Sequence, residues 1–406
     1  MLGVIAPTVR SGLMPGQSGT PLVAVHLPRP QAAAAIAAAW DRGEAVLVLD
    51  PDAPRVAAQR LLERFAPTHL VDATGLHPIG GQPVEAGTAA VVVTSGTTGE
   101  PKGAELTFAG LEAIGTAFGS MLGVDPDDRA LVCLPLHHVA GLAILARARV
   151  CGVPVTVHGA FSLHAVAAAP AVEGATLVSL VPTMLARLVD AGAPLHEFRR
   201  IIVGGAPTPP DLRARAEALG APVVDSYGLS ETWGGVVLDG EPVPGIEVML
   251  SSDAQVLMRG PMVMRGYRNA PDATAGAFDG DGWFTTGDIG AWNDHGRLHV
   301  VDRARDIVIS GGVNVSPTAV ENALVTHPHV SDVCIVGTAD PEWGERVVAF
   351  VVPLDASEPL TLEDLRTFGR DAGLSDAQLP RQLILVRVIP RAPSGKPLRR
   401  ELRGPE

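Results

Sequence analysis

Lysine is nearly absent from this chain. Of 31 basic residues among 406, two are lysine, Lys102 and Lys396, and the rest are arginine. Where a surface positive charge suffices, arginine serves, so the two lysines mark places that need a compact ammonium rather than a planar fork. Tyrosine is equally sparse, with Tyr227 and Tyr267 alone. Cysteine occurs three times, at Cys133, Cys151 and Cys334, far apart and without a Cys-x-x-Cys pair. That argues against a zinc site and for reduced thiols in a cytoplasm. No basic run exists and the net charge is −13, which disfavours nucleic acid and a polybasic membrane patch. No apolar run reaches the roughly 18 residues of a membrane span. The N-terminus lacks the basic start and apolar stretch of a signal peptide, so none is expected.

What is present is apolar and turn-rich. Hydrophobic residues make up 47% and charged residues 18%, and 45 glycines and 35 prolines are spread throughout. This composition suits a globular core-former, and the length suits two or three domains. Up to residue 228, apolar runs at 45–49, 69–71, 89–93, 129–134, 153–158, 175–181, 200–203 and 223–228 alternate with helical segments at 31–41, 55–65, 107–122, 141–149, 182–191 and 210–219. Such alternation predicts an α/β fold with a parallel sheet covered by helices. From 248 to 301, short β-like runs between Gly/Pro turns predict a smaller antiparallel unit. From about 305, runs at 307–309, 330–337, 347–352 and 382–388 and helices at 316–326 and 362–372 predict a compact α+β module.

The densest local signal is Thr94-Ser95-Gly96-Thr97-Thr98-Gly99-Glu100-Pro101-Lys102-Gly103, directly after the apolar run 89–93. Glycines let backbone approach a ligand, successive N–H groups form an anion nest, and hydroxyls add donors. A nucleotide triphosphate tail fits this loop, as does an ordinary surface turn. A P-loop ATPase or kinase is a poorer match, because Gly103 stands where such a loop has Ser or Thr for magnesium. A non-catalytic nucleotide-binding regulator is a further alternative.

Four more stretches follow in order: Tyr227-Gly228-Leu229-Ser230-Glu231-Thr232, Gly282-Trp283-Phe284-Thr285-Thr286-Gly287-Asp288, Asp302-Arg303-Ala304-Arg305-Asp306 with Ser310-Gly311-Gly312, and Ser394-Gly395-Lys396. Together with the first they resemble the acyl-adenylate-forming (AMP-binding) superfamily of acyl-CoA synthetases, luciferases and peptide-synthetase adenylation domains. With His137-His138-Val139-Ala140-Gly141 and Trp233-Gly234-Gly235, the chain looks most like the compact o-succinylbenzoate–CoA ligases of menaquinone biosynthesis. The resemblance runs from about residue 85 to the end, and the first 85 residues match poorly.

The resemblance implies a large N-terminal α/β domain, residues 1–304, with a small β subdomain, and a mobile C-terminal α+β domain, residues 305–406. It implies an enzyme that joins a carboxylic acid to AMP, releases pyrophosphate, then lets coenzyme A displace AMP. ATP, Mg2+, the acid and coenzyme A would be its small-molecule partners, and a homodimer is compatible. Thr94, Ser95, Gly96, Thr97, Thr98, Gly99 and Lys102 would hold the β- and γ-phosphates, and Glu231 the magnesium ion. Tyr227 offers a flat face for adenine, with Gly204, Gly205 and Ala206 on the other side of the base and Ser226, Gly228 and Ser230 beside it. Asp288 would bind the ribose hydroxyls, and Arg303 the ribose or phosphate. Lys396 would bridge carboxylate and α-phosphate during adenylation. Gly311 and Gly312 would line the pantetheine tunnel, which favours a thiol acceptor. His138 would gate the acyl carboxylate, and Ser179, Trp233 and Gly234 would line the acyl pocket. A second carboxylate on the acid needs a cation if buried. Arg187 is a candidate, with a solvated helix arginine as the competing reading. Arg305 stands at the position about which the small domain would turn. A CoA ligase for another aryl or aliphatic acid, or an acyl-AMP ligase loading a carrier protein, are the alternatives.

Overall fold

The computed structural model describes residues 18–94, 100–355, 360–391 and 397–403. The chain divides into two compact units. The first comprises Met1–Val248 and Met258–Thr285, the second Met249–Leu257 and Thr286–Glu406.

Among its described residues the first unit contains two seven-stranded sheets rather than the one expected. In one, Leu22–Val25, Ala45–Val48, His69–Asp72 and Thr88–Thr94 run parallel. Gly75–Pro78, Lys102–Thr107 and Gly266–Tyr267 close its edges antiparallel. In the other, Val155–Val157, Ala130–Val132, Leu177–Leu180, Arg200–Gly204 and Val223–Leu229 run parallel, and Gly234–Leu238 and Glu241–Pro242 reverse at one edge. The strands buried on both faces are continuous apolar runs, as covered parallel sheets require. Leu22, Leu47, Phe65 and Val91 pack one core, and Leu131, Leu185, Ile201 and Val203 another.

Several elements escaped the sequence pattern. The unmatched N-terminal region supplies a central strand, Leu22–Val25. Lys102 opens a strand, Lys102–Thr107, where a loop leading straight into a helix was expected. A helix spans Leu163–Glu173, capped by the Ser162 hydroxyl, with Pro170 inside it. Its run of alanines carries little amphipathic signal, and an interior proline reads as a break.

The second unit carries the hairpin of Phe284–Trp292 with Leu298–Arg303. A five-stranded sheet follows, dominated by Val330–Asp340 against Gly344–Pro353, with Gln382–Leu385 parallel at one side. Val308–Ser310 and Val313–Val315 form a hairpin turned by Gly311 and Gly312, whose φ values of +60° and +78° suit glycine. Val320, Leu324, Ile335, Val351 and Leu365 centre this core. Among the described residues no helix is long and apolar enough to cross a membrane.

Candidate active site

The candidate residues fall in both units. In the first unit, Thr94 and Lys102 are register partners on adjacent antiparallel strands. The loop they flank therefore leaves and returns at one point of the sheet edge. Ser95, Gly96, Thr97, Thr98 and Gly99 lie outside the described residues.

Ser179, Gly204 and Ser226 stand on three neighbouring parallel strands, Leu177–Leu180, Arg200–Gly204 and Val223–Leu229. Gly204 and Ser226 are register partners near the carboxyl ends, where open α/β sheets bind ligands. A side chain at Gly204 would meet Ser226 O at 2.8 Å, and Gly205 has φ +84°. Tyr227, half-buried, follows on the same strand. The chain then turns through Ser230–Thr232 and returns as Gly234–Leu238. The two strands approach so closely at Gly228 that a Cβ there would sit 1.8 Å from Gly234 O.

That turn buries Glu231. Its Oε1 accepts the Tyr267 hydroxyl at 2.8 Å, and its backbone O accepts Met264 N at 2.7 Å. No cluster of three metal-ligating side chains occurs among the described residues. A single buried carboxylate suits Mg2+, which is usually held by one or two carboxylates together with substrate phosphates. Trp233 adopts φ +58° and is 1% exposed. Its indole donates to Thr107 O at 3.1 Å and meets Trp40 edge-on. It therefore sits in the core, where a large aromatic with a satisfied N–H belongs.

His138 precedes the helix Val139–Cys151 and packs its ring on His137 at 4.4 Å. His137 Nδ1 lies 3.9 Å from Asp50 Oδ1. Desolvation, then the neighbouring His137, pulls His138 down to about 4, with Asp50 opposing. His138 keeps contact with solvent, and water offsets part of that penalty. The unfolded chain takes up this proton near 6.5 and the folded chain only at lower pH. Stability is thus lost as pH falls from about 6.5 towards 4. NMR titration is expected to find the His138 midpoint below 6.5, and His138→Gln is expected to flatten that part of the stability–pH curve.

The same helix carries Arg147, two residues before exposed Arg149, which pairs with Asp41 at 2.6 Å. Arg147 is buried. Its Nε donates to Ala143 O at 3.0 Å and its guanidinium lies 3.9 Å from the Phe118 ring centre. No carboxylate faces it among the described residues, and burial lowers it to about 10. It borders a cavity of about 30 Å³ shared with Phe118, Ile144, Cys151, Val178 and Ser179, enough for about two waters. Arg187, by contrast, is exposed and lies 5.1 Å from the Phe161 ring centre. Arg147 was visible in the sequence only as an interruption of an apolar stretch.

In the second unit, Asp288 is 3% exposed and its Oδ1 meets Arg303 Nε at 2.8 Å. The two are register partners across the hairpin. Arg303 Nη1 also donates to Thr286 O at 3.2 Å. Asp302 turns the other way and caps the next helix, accepting Ser316 Oγ at 2.9 Å and Thr318 N at 2.8 Å. Arg305 lies exposed on the short turn Ala304–Asp306. Gly311 and Gly312 are exposed, and a Cβ on Gly311 would press on Trp343 at 3.0 Å. Lys396 lies outside the described residues. Its flanks are held by Leu398 N to Pro390 O at 2.8 Å and by Arg399 Nη2 to both Glu321 oxygens at 2.7 and 2.8 Å.

Residues 77–268 match the AMP-binding enzyme family, and 319–396 match the AMP-binding enzyme C-terminal domain. A Bacillus velezensis 2-succinylbenzoate–CoA ligase is 36% identical over 337 residues, covering 78% of this chain and 68% of its own. A Mycobacterium tuberculosis protein named a probable 2-succinylbenzoate–CoA ligase is 38% identical over 386 residues, covering 92% and 95%. The structure of o-succinylbenzoate CoA synthetase from Bacillus subtilis with its acyl-adenylate intermediate superposes with a TM-score of 0.85. It shares 28% identity and covers 96% of this chain and 89% of that one.

Proposed function

The chain belongs to the AMP-binding enzyme family, among the 2-succinylbenzoate–CoA ligases, and from that premise we propose that it converts o-succinylbenzoate, ATP and coenzyme A to the acyl-CoA, AMP and pyrophosphate. The observation that carries the choice of acid is Arg147, a buried guanidinium with no carboxylate partner among the described residues, beside Ser179. A buried charge needs a counter-ion. The carboxylate of the acid that is not being activated supplies one, directly or through a cavity water. Exposed Arg187 is the weaker candidate for this role.

In the first step the acid's other carboxylate attacks the α-phosphorus of ATP. Charge builds on phosphate oxygens, so positioning and electrostatics carry the rate. Thr94 to Gly99 and Lys102 hold the β- and γ-phosphates. Glu231 would hold a magnesium ion jointly with the triphosphate, and the ion would neutralise charge on the departing pyrophosphate. Tyr227 stacks on adenine against Gly204–Ala206, and Asp288, oriented by Arg303, accepts the ribose hydroxyls. Lys396 binds the carboxylate and α-phosphate oxygens. His138, neutral at pH 7, lies beside the acyl carboxylate without adding positive charge that would quench the nucleophile. In the second step the region from 305 to 406 turns about Arg305, and coenzyme A enters past Gly311 and Gly312. The three cysteines are unpaired, and we place the enzyme in the cytoplasm.

Acid-dependent pyrophosphate release across a panel of carboxylic acids, with and without coenzyme A, tests this. O-succinylbenzoate is expected to be preferred, with thioester formed only when coenzyme A is present. No release with any acid refutes the proposal. Release without thioester formation would favour a carrier-protein acceptor.

A further inference from the structure

Tyr267 stands between the two charged side chains assigned to the triphosphate and its metal. Lys102 Nζ lies 4.9 Å from the Tyr267 ring centre. The Tyr267 hydroxyl donates to Glu231 Oε1 at 2.8 Å. Among the described residues, neither Lys102 nor Glu231 makes another side-chain hydrogen bond or ion pair, and no ion pair joins them.

Tyr267 is also firmly held. Gly266 and Tyr267 form a two-residue strand paired with Glu105 and Ala104. Tyr267 N donates to Thr274 Oγ1 at 2.8 Å. The next residue, Arg268, is buried and donates to Phe65 O and Gln82 O at 2.7 Å each, while its own N–H reaches Gly103 O at 2.8 Å. Met264 N holds the backbone of Glu231 itself. The segment 264–268 thus ties the strand of Lys102 to the turn of Glu231.

An ammonium and a carboxylate that share one neighbour attract each other. If they paired directly, each would neutralise the other, and neither phosphate nor magnesium would meet a full charge. An aromatic face gives the ammonium a favourable contact without quenching it. A phenol O–H gives the carboxylate a charge-assisted donor and leaves its charge and remaining lone pairs free. A cation over the ring also polarises the O–H and strengthens that donation.

We propose that Tyr267 is a positioning residue of the adenylation step, whose ring keeps Lys102 apart from Glu231 and whose hydroxyl orients the Glu231 carboxylate, so that both charges remain available to Mg·ATP. This rests on the assignment of Lys102 to phosphate and Glu231 to magnesium.

The test is equilibrium binding of ATP by calorimetry, with magnesium and with a chelator, for wild type, Tyr267→Phe, Tyr267→Leu, Lys102→Ala and Glu231→Gln. Tyr267→Phe keeps the spacer and loses the donor. Its Mg·ATP Kd is expected to rise about 10-fold, the cost of one hydrogen bond to a charged group, with metal-free ATP binding nearly unchanged. Tyr267→Leu loses both functions, and about a 100-fold rise is expected, with metal-free ATP binding weakened as well. Thioester formation from preformed acyl-adenylate stays near wild type in both.

A readout independent of ligand comes from the scarcity of lysine. With 13Cε-labelled lysine, Lys102 and Lys396 are the only lysine signals, and Lys102→Arg assigns them. The Lys102 methylene is expected to be shifted upfield by the ring in wild type and Tyr267→Phe, and to lose that shift in Tyr267→Leu. Unchanged Mg·ATP affinity in Tyr267→Leu, while Lys102→Ala and Glu231→Gln weaken it, overturns the inference and leaves the site assignment standing. Unchanged affinity in Lys102→Ala and Glu231→Gln overturns the assignment, and the inference with it.

Discussion

Replacing Lys396 by alanine is expected to cut acid-dependent pyrophosphate release by about 10²–10³-fold, the usual cost of one oxyanion-stabilising donor. Coenzyme A-dependent consumption of preformed acyl-adenylate is expected to stay within about threefold of wild type. The asymmetry follows from where charge develops. Attack on the α-phosphorus adds charge to oxygens that a point-charge ammonium can neutralise. In the second step the thiol attacks the carbonyl, charge develops first on the carbonyl oxygen, and the acyl–oxygen bond then breaks with its electron pair passing to the AMP phosphate, so no charge is added at the α-phosphorus by an attacking carboxylate. Single-turnover measurements of each half-reaction decide the matter. Equal losses in both would mean that Lys396 serves the structure of its module rather than the chemistry of one step. Its scarcity supports the chemical role, since a chain that uses arginine for almost every other positive charge has kept lysine here.

Arg147→Met is expected to raise the KM for o-succinylbenzoate by about 100-fold, because the variant would leave the acid's second carboxylate buried without its cation. For the same acid lacking that carboxylate, wild type and variant should hardly differ. The Tm should move the opposite way from most core substitutions. Burial lowers Arg147 from 12.5 to about 10, so at neutral pH the folded state carries a penalty on the order of 3 kcal/mol. Methionine fills similar space without that charge, and the ligand-free variant should melt at the same temperature as wild type or higher. The sign is consistent with linkage. The unfolded chain binds this proton more tightly, so the penalty is complete below about pH 10 and is relieved only above it. An unchanged KM for o-succinylbenzoate would remove Arg147 from the acid site.

Much of the candidate site could be proposed from the sequence because the chemistry needs particular residue types close together in the chain. The run from Thr94 to Gly103, the turn holding Glu231 and the pair Asp288 and Arg303 each announce themselves within a few residues or across one hairpin. Lys102 was marked by rarity alone. Arg147 was not legible as a candidate for the acid's second carboxylate. It lies two positions from Arg149, and on a helix two positions are about 200° apart. One arginine must face inward and the other outward, but only the packing of Phe118 and Ala143 against this helix tells which. Trp233 is ambiguous in the sequence for the related reason that a tryptophan beside glycines suits both a pocket wall and a core. The bond to Thr107 O, 126 residues away, places it in the core.

Tyr267 makes the same point from the other direction. It lies 36 residues from Glu231 along the chain, and nothing local to it suggests a role. A two-residue strand pairing at a sheet edge brings it to Lys102. The amino-acid sequence by itself determined the reaction class and the order of the motifs and marked two lysines by their rarity, because these depend on residue types and short spacings. Tertiary structure alone decided which charges are paired and which stand free, because burial and counter-ions are set by residues distant in the chain. Those decisions separate Arg147 from Arg149, send Trp233 to the core, and put one of only two tyrosines between an ammonium and a carboxylate.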